Sequence, residues 1–390
     1  MGRYILRRLS VLAVAGSLLA VVLPAPAAHA ALRGSPDPTW MTNGPVKDIV
    51  LGGNNAYLGG TFTEARTQRD AAGTPRARLA AFDRATGALN TAFNASVSGS
   101  VETLAISSDG STLYLGGLFT AVNGVARQNL AAVDAATGSV RTGFRADADN
   151  TVRALAYSGG YLFAGGSFGK IGGTSRRRLA KMNGTSGILA PWTPGASEQR
   201  VNALDVSADG SRLYVGGAFA ALGGVANSRR LGAVTTDTGS VITSFRPNPE
   251  WSVLDLANAN GIVVAAYGSS GGGRTRAYNE SNGTFRWHIQ ANGDCQAVEI
   301  IGSKIFIGGH FRPGHSSPSL GGRDVHSEVA SANLSTGAVD FSWAPDLDRG
   351  GNTGVHALTA DGVSRLHVGG DFARVNGAAR SNYARFSDTA

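Results

Sequence analysis

Tyr57 Leu58 Gly59 Gly60 Thr61 Phe62 is the first instance of a phrase that returns along the chain: an apolar pair, two small residues that are usually glycines, a variable position and an aromatic. It recurs at Tyr114 to Phe119, Phe163 to Phe168, Tyr214 to Phe219, Phe306 to Phe311 and His367 to Phe372, with a degraded copy at Val263 to Gly268. Successive copies start roughly 43 to 61 residues apart, the length of one four-stranded propeller blade and too long for one coil of a β-helix. The double glycine reads as architectural. Sheets that converge on an axis need close backbone approach at that strand, and a missing Cβ permits it. The Lys and Ser/Thr that a phosphate-cradling glycine loop requires do not follow the pair.

Each repeat carries four short strand signals. The first is Val-x-x-Leu or a variant, as in Val101 to Leu104, Val201 to Leu204 and Val355 to Leu358. A turn follows, often Asp-Gly, as at Asp109 Gly110 and Asp209 Gly210, which suits a hairpin needing positive φ. The Gly-Gly phrase is the second strand. The third is apolar and ends near Asp or Asn, as in Leu130 to Asp134 and Leu179 to Asn183. A turn such as Thr137 Gly138 then leads to a fourth strand ending at an aromatic: Phe93, Phe144, Trp192, Phe245, Trp287 or Trp343.

After the last Gly-Gly the chain offers one more strand, Asn382 to Ser387, whereas Pro38 Thr39 Trp40 precedes the first Val-x-x-Ile signal and puts Trp40 in the fourth-strand aromatic slot. The expected fold is therefore all-β: a seven-bladed β-propeller closed by pairing of N- and C-terminal strands in the last blade, which leaves no edge unpaired.

Residues 1–30 read as a cleaved export signal. Arg3, Arg7 and Arg8 form a basic start, Leu9 to Leu23 is apolar, and Ala28 His29 Ala30 is a small-x-small cleavage site. The apolar stretch meets Pro24 and Pro26 before reaching the ~20 residues of a membrane span. Residues 31–390 are then a single secreted, extracellular propeller domain with no membrane span, expected to be a monomer. Loss of the three arginines lowers the formal charge from +8 to +5, which is only mildly basic and, with export, argues against a nucleic-acid partner. The lone Cys295 forms no intramolecular disulfide and stands where other repeats place Val, so it reads as a small buried side chain.

As a set, Val201 Asn202 Ala203 Leu204, Leu213 Tyr214 Val215 Gly216 Gly217 Ala218 Phe219, Leu130 to Asp134 with Thr137 Gly138, and Gln296 Ala297 Val298 with Ile307 Gly308 Gly309 His310 Phe311 resemble the delta-60 repeat β-propellers of secreted actinobacterial proteins. The resemblance covers essentially the whole mature chain. It implies export and a propeller, and carries no catalytic residues across. The double glycine is also similar to kelch repeats, and Ala277 Tyr278 Asn279 through Gly283 to Trp287 resembles the docking motif of quinone propellers. A kelch-type copper oxidase needs a Cys-Tyr crosslink and two His ligands, for which Cys295 is the sole thiol.

Two sets of side chains could carry chemistry. His310, His315 and His326 share one loop with Asp324 and form the one local cluster with metal-ligand character, a candidate divalent-metal site that matches no zinc signature. Arginines gather before strand three in most repeats, including Arg78, Arg127, Arg177, Arg230, Arg276 and Arg323, on the rim expected to carry Asp294 and Asp346 from the inter-repeat connections. Opposite charges on one rim fit inter-blade ion pairs or an anion-binding face. No cofactor is expected. Convergent carboxylates, a nucleophile with its base and a recognised ligand set are missing as local motifs, so the expected function is an extracellular binding module for a glycan or protein ligand. A metal-assisted hydrolase or oxidoreductase acting on carbohydrate is the alternative.

Overall fold

The computed structural model describes residues 32–268, 272–311 and 327–388. Among these the regular structure is β-strand throughout, and each repeat folds into one antiparallel sheet. The first sheet is β1 (Val46–Gly52), β2 (Asn55–Gly60) and β3 (Leu79–Asp83). The second is β4 (Ser100–Ile106), β5 (Thr112–Leu118) and β6 (Leu130–Asp134). The third is β7 (Val152–Ser158), β8 (Tyr161–Gly166) and β9 (Leu179–Asn183), and the fourth β10 (Val201–Val206), β11 (Arg212–Gly217) and β12 (Leu231–Thr235). The fifth has four strands, β13 (Ser252–Ala259), β14 (Ile262–Gly268), β15 (Arg274–Asn279) and β16 (Phe285–Gln290). The sixth is β17 (Cys295–Ile301), β18 (Lys304–Gly309) and β19 (Val329–Asn333). The last is β20 (Leu347–Asp361), β21 (Arg365–Val375) and β22 (Tyr383–Ser387).

The four-strand reading is met in full by the fifth sheet alone. Elsewhere the fourth segment touches the third strand at a single bridge, such as Phe82 with Leu89 and Val133 with Val140, before its aromatic leaves the sheet. That aromatic packs edge-on against the strand-two aromatic, Phe93 against Tyr57 at 5.2 Å and Phe245 against Tyr214 at 5.3 Å. Burial of the ring holds the segment where ladder hydrogen bonds do not. The turn before it is set by an Asp or Asn side chain: Asp83 Oδ1 accepts the amides of Ala85 and Thr86, and Asn183 Oδ1 those of Thr185 and Ser186.

The two glycines of the phrase do different work. A Cβ on the first would collide with the valine that opens the next repeat, at 2.6 Å for Gly59 on Val101 and 2.5 Å for Gly216 on Val253; Gly369 of the last sheet would meet Val46 of the first at 2.7 Å. A Cβ on the second would collide with a carbonyl of its own sheet, at 2.1 Å for Gly60 on Pro45 O and for Gly117 on Ser100 O. One glycine lets sheets pack together, and the other lets strands one and two cross.

The first strands of successive repeats lie side by side, β20 against β1 included. Around them runs a set of side-chain clasps between neighbouring sheets. Asp48 Oδ2 accepts the amide of Leu104, Thr103 Oγ1 that of Leu155, Asp255 Oδ2 that of Val298 and Glu299 Oε2 that of Ala360. Asn202 donates to Val253 O, and Thr359 Oγ1 donates to Ile49 O at 2.8 Å, linking the last sheet to the first.

The segment before β1 runs along β22. Leu32 bridges Asp388, the amide of Arg33 donates to Ser387 O, and that of Asp37 donates to Arg385 O. The same register joins Arg141 to Ala132 in the second sheet, and Trp40 follows Asp37 by the spacing with which Phe144 follows Arg141. Arg380 donates to Thr39 O as Arg127 donates to Thr142 O. Trp40 itself packs against the cluster that holds Phe82, Leu89 and Tyr383.

Candidate ligand site at the axial channel

In each sheet the ladder between strands one and two skips the residue after the opening Val or Cys. The skipped residues are Lys47, Glu102, Arg153, Asn202, Leu254, Gln296 and His356. A bulge re-aims the side chain it carries, and these side chains, each half-buried, line the axial channel, a cavity of about 330 Å³, with six of them also lining a recess of about 270 Å³ at its mouth. Arg200 joins that recess and donates to Asn202 Oδ1 at 3.1 Å.

The ring is uneven. Lys47 Nζ lies 3.1 Å from His356 Nε2, and Glu102 stands between Lys47 and Arg153 in repeat order. Burial lowers the pKa of Lys47, partly offset by Glu102 and Asp371, and lowers that of Arg153. Burial with the neighbouring Lys47 charge pushes His356 down to about 3, so its imidazole is neutral at physiological pH.

Asp48, Asp255 and Glu299 also line the channel cavity, from three sheets, and Asp205 lies beside Asn258 of the fifth sheet. The surrounding protein raises Asp48 and Glu299 to about 7, Asp205 to about 8 and Asp255 to about 6, in each case chiefly by desolvation. Their oxygens are engaged: three serve in the clasps above, and Asp205 accepts from Asn258 Nδ2 at 2.6 Å.

The sequence pointed to the arginines rather than to this ring. Arg78, Arg178 and Arg230 sit just before strand three with φ between 63° and 67°, as do Asn129, Glu328 and Asn382 in the equivalent places. At each, the amide donates to the carbonyl of the phrase's aromatic, and the carbonyl accepts from the second glycine's amide, as in Arg78 to Phe62 O and Gly60 to Arg78 O. Arg127 is buried, its guanidinium donating to Ala126 O and Thr142 O. Arg230 donates to Pro249 O, and Arg276 lies over Trp251. Arg177 is exposed at the lip of a larger cavity of about 680 Å³ between the third and fourth sheets. Turn backbone and small side chains dominate that cavity, whereas polar groups from every repeat converge on the channel, so the channel is the better ligand candidate.

Asp294 precedes β17, its carbonyl accepting the amide of His310, and the amide of Asp346 is held by Asn376 Oδ1. His310 holds the variable position of the sixth sheet's strand-two phrase. His315, Arg323, Asp324 and His326 lie outside the described residues, as do residues 1–30, expected from the sequence to be an export signal. Among the described residues no group of three or more His, Cys, Asp or Glu side chains is placed to hold a metal ion, and no helix is long and apolar enough to cross a membrane.

The channel ring could have been found in the sequence, as the varying position inside an otherwise repeating Val-x-x-Leu. What hid it is that a regular strand sends that residue into the sheet's packing, and the bulge appears only in the pairing.

The chain is similar in structure to the WD40 β-propeller domain of Doa1, with a TM-score of 0.58 at 12% identity over 93% of this chain and 98% of that one. It is also similar to the computationally designed Ika8 protein, with a TM-score of 0.54 at 13% identity over 90% of this chain and all of that one. No protein-family model and no curated protein matches its sequence. The fold is a β-propeller.

Proposed function

We propose that this chain is a secreted, non-catalytic, seven-bladed β-propeller that binds an extracellular glycan or protein ligand at the mouth of its axial channel. The ring reading is supported by the contact of β20 with β1, the Thr359–Ile49 clasp and the Asp37–Arg385 register, in which residues 32–40 supply the last blade's outer strand. Export rests on the leader at 1–30, and the delta-60 resemblance agrees with both.

The observation that carries the binding reading is the bulge ring. Its residues differ in every repeat while the Val-x-x-Leu positions around them recur as small or branched apolar residues, so the scaffold positions keep their character and the positions facing the channel mouth are diversified. The half-buried carboxyls nearby are occupied in clasping sheets together, which favours binding over turnover. The test is retention on a glycan array by the mature protein and by the double variant Glu102→Gln/Arg153→Gln. Loss of a specific retained ligand in the variant is expected; unchanged retention would remove the channel mouth as the site.

The carbohydrate-active alternative draws support from Glu299, which lines the channel and whose carboxyl burial raises to about 7, since a carboxyl protonated near neutrality can serve as a general acid. Turnover of a polysaccharide that disappears in Glu299→Gln while folding is retained would establish it over the binding reading.

A further inference from the structure

The fifth sheet departs from the second and third at its rim. The chain passes from Gly268 to Arg274 in five residues, against eighteen between Gly60 and Leu79, too few for the small hairpin that the second and third repeats place there at Ala121–Ala126 and Lys170–Ser175. In its stead β15 continues to the rim with Arg274 and Arg276. Both guanidiniums lie over the half-buried Trp251, their Cζ atoms 4.2 and 4.8 Å from its ring centroid.

The outer strand extends this patch. In the β15–β16 ladder Arg276 is opposite His288 and Tyr278 opposite Phe285, so these side chains share one face of the sheet. His288 is exposed, Phe285 is 55% exposed, and their rings lie 6.0 Å apart. Glu250 stands 4.0 Å from Arg276 with 64% of its side chain exposed, a weak partner for two cations, and Arg276 Nε is buried without a hydrogen-bond partner among the described residues. Holding two guanidiniums this close costs electrostatic energy, which an arriving anion would relieve.

We infer that this face is a second recognition site, taking the carboxylate or sulfate groups of an acidic polysaccharide on Arg274 and Arg276 with its pyranose rings against Trp251 and Phe285. The inference rests on the glycan-binding reading above and names a class of glycan and a place for it away from the channel. Planar guanidinium forks suit carboxylate and sulfate oxygens, and partly exposed aromatic faces beside them suit the apolar C–H faces of sugars. A chain with charges repeating along it would follow the stripe from Trp251 to Phe285.

The test titrates the mature protein with a hexamer of galacturonic acid and with a neutral galactose hexamer, at low and high salt. The expected result is salt-sensitive binding of the uronide and none of the neutral chain. Affinity should fall about tenfold or more in Arg274→Gln/Arg276→Gln, the loss anticipated for removing charge-assisted hydrogen bonds. Arg153→Gln at the channel mouth should leave uronide affinity unchanged, which separates the two sites. Should the Gln pair unfold, Arg274→Lys/Arg276→Lys keeps the charge, loses the fork and is expected to weaken binding as well. Uronide affinity unchanged in the folded rim variants, loss confined to Arg153→Gln, absence of uronide binding, or a stronger preference for single-stranded DNA or an acidic peptide of equal charge would each overturn the assignment.

Discussion

Arg385 Nε donates to Asp37 Oδ2 at 2.6 Å, and both side chains are 6% exposed. The pair joins the strand nearest the C-terminus to the segment that precedes the first repeat, residues 348 positions apart. Ser387 Oγ donates to the same carboxylate oxygen at 2.5 Å, and the guanidinium also reaches Arg84 O in the first sheet. Beside them Asp361 pairs with Arg84, and His367 with Tyr383 at 2.8 Å. Polar bonding is therefore dense where the last sheet, the first sheet and the leading segment meet.

Removing one partner of a buried pair leaves the other charge unsolvated, at a cost of ~3–5 kcal/mol. Asp37→Ala should lower stability in urea by about that amount, and a variant starting at Pro45 should lose more, because Trp40 goes with it. An Asp37→Ala midpoint equal to wild type would show that the Asp37–Arg385 pair adds nothing to the fold.

The fifth sheet breaks the glycine rule and compensates in its neighbour. Ala266 pairs with Asp255 as Gly216 pairs with Ala203, so it holds the first-glycine position; the facing residue of the next repeat is Cys295 where others have Val, and the two share a core cluster. The smaller thiol makes room for the methyl. Cys295→Val should overpack this contact and cost ~1–3 kcal/mol, and adding Ala266→Gly should recover most of it. Additive losses in the double variant would break the pairing. Burial pushes the thiol up to about 12, so slow labelling by thiol reagents in the folded state is the accompanying expectation.

Gly117→Ala should be among the costliest single methyl additions in the chain, since the new Cβ would stand 2.1 Å from a backbone carbonyl. An effect of ~1–3 kcal/mol or more is expected, against little change for Gly143→Ala, which has open space around it. Thermal melts of the two variants, run side by side, decide the matter.

Stability should fall as pH rises from about 4 to about 8. Asp48, Asp205, Asp255 and Glu299 have folded-state pKa values above their unfolded ones, so the folded chain binds more protons in that range, and their favourable contribution is lost as pH climbs through 6 to 8. All four are only partly buried, which moderates the size of the effect. Asp205→Asn, which still accepts from Asn258, should flatten the upper part of the curve. A melting temperature that increases from pH 5 to pH 8 would contradict the desolvation argument.

Local chemistry made the strands, the turns and the repeat readable in the sequence. Alternating apolar residues, Asp-Gly turns and Asp83- or Asn183-type side-chain turns act within a few residues, and the Gly-Gly pair signals close approach wherever it stands. The same locality leaves the destination of a side chain unread. Arginines before strand three are conspicuous as residues, but Arg127 is drawn inward to backbone carbonyls, and Arg78 and Arg230 serve a bend whose partners lie on other strands.

The sequence by itself determined that the chain is an all-β repeat with the spacing of a propeller, because hydrogen-bonded hairpins and missing Cβ atoms are properties of short stretches. Only the tertiary structure decided which side chains meet. Lys47 and His356 are 309 positions apart and touch because bulges in different sheets point at one axis, and Arg276 meets Trp251, 25 positions before it, across the fifth sheet. Such encounters depend on how sheets pack, and no window of the chain contains them.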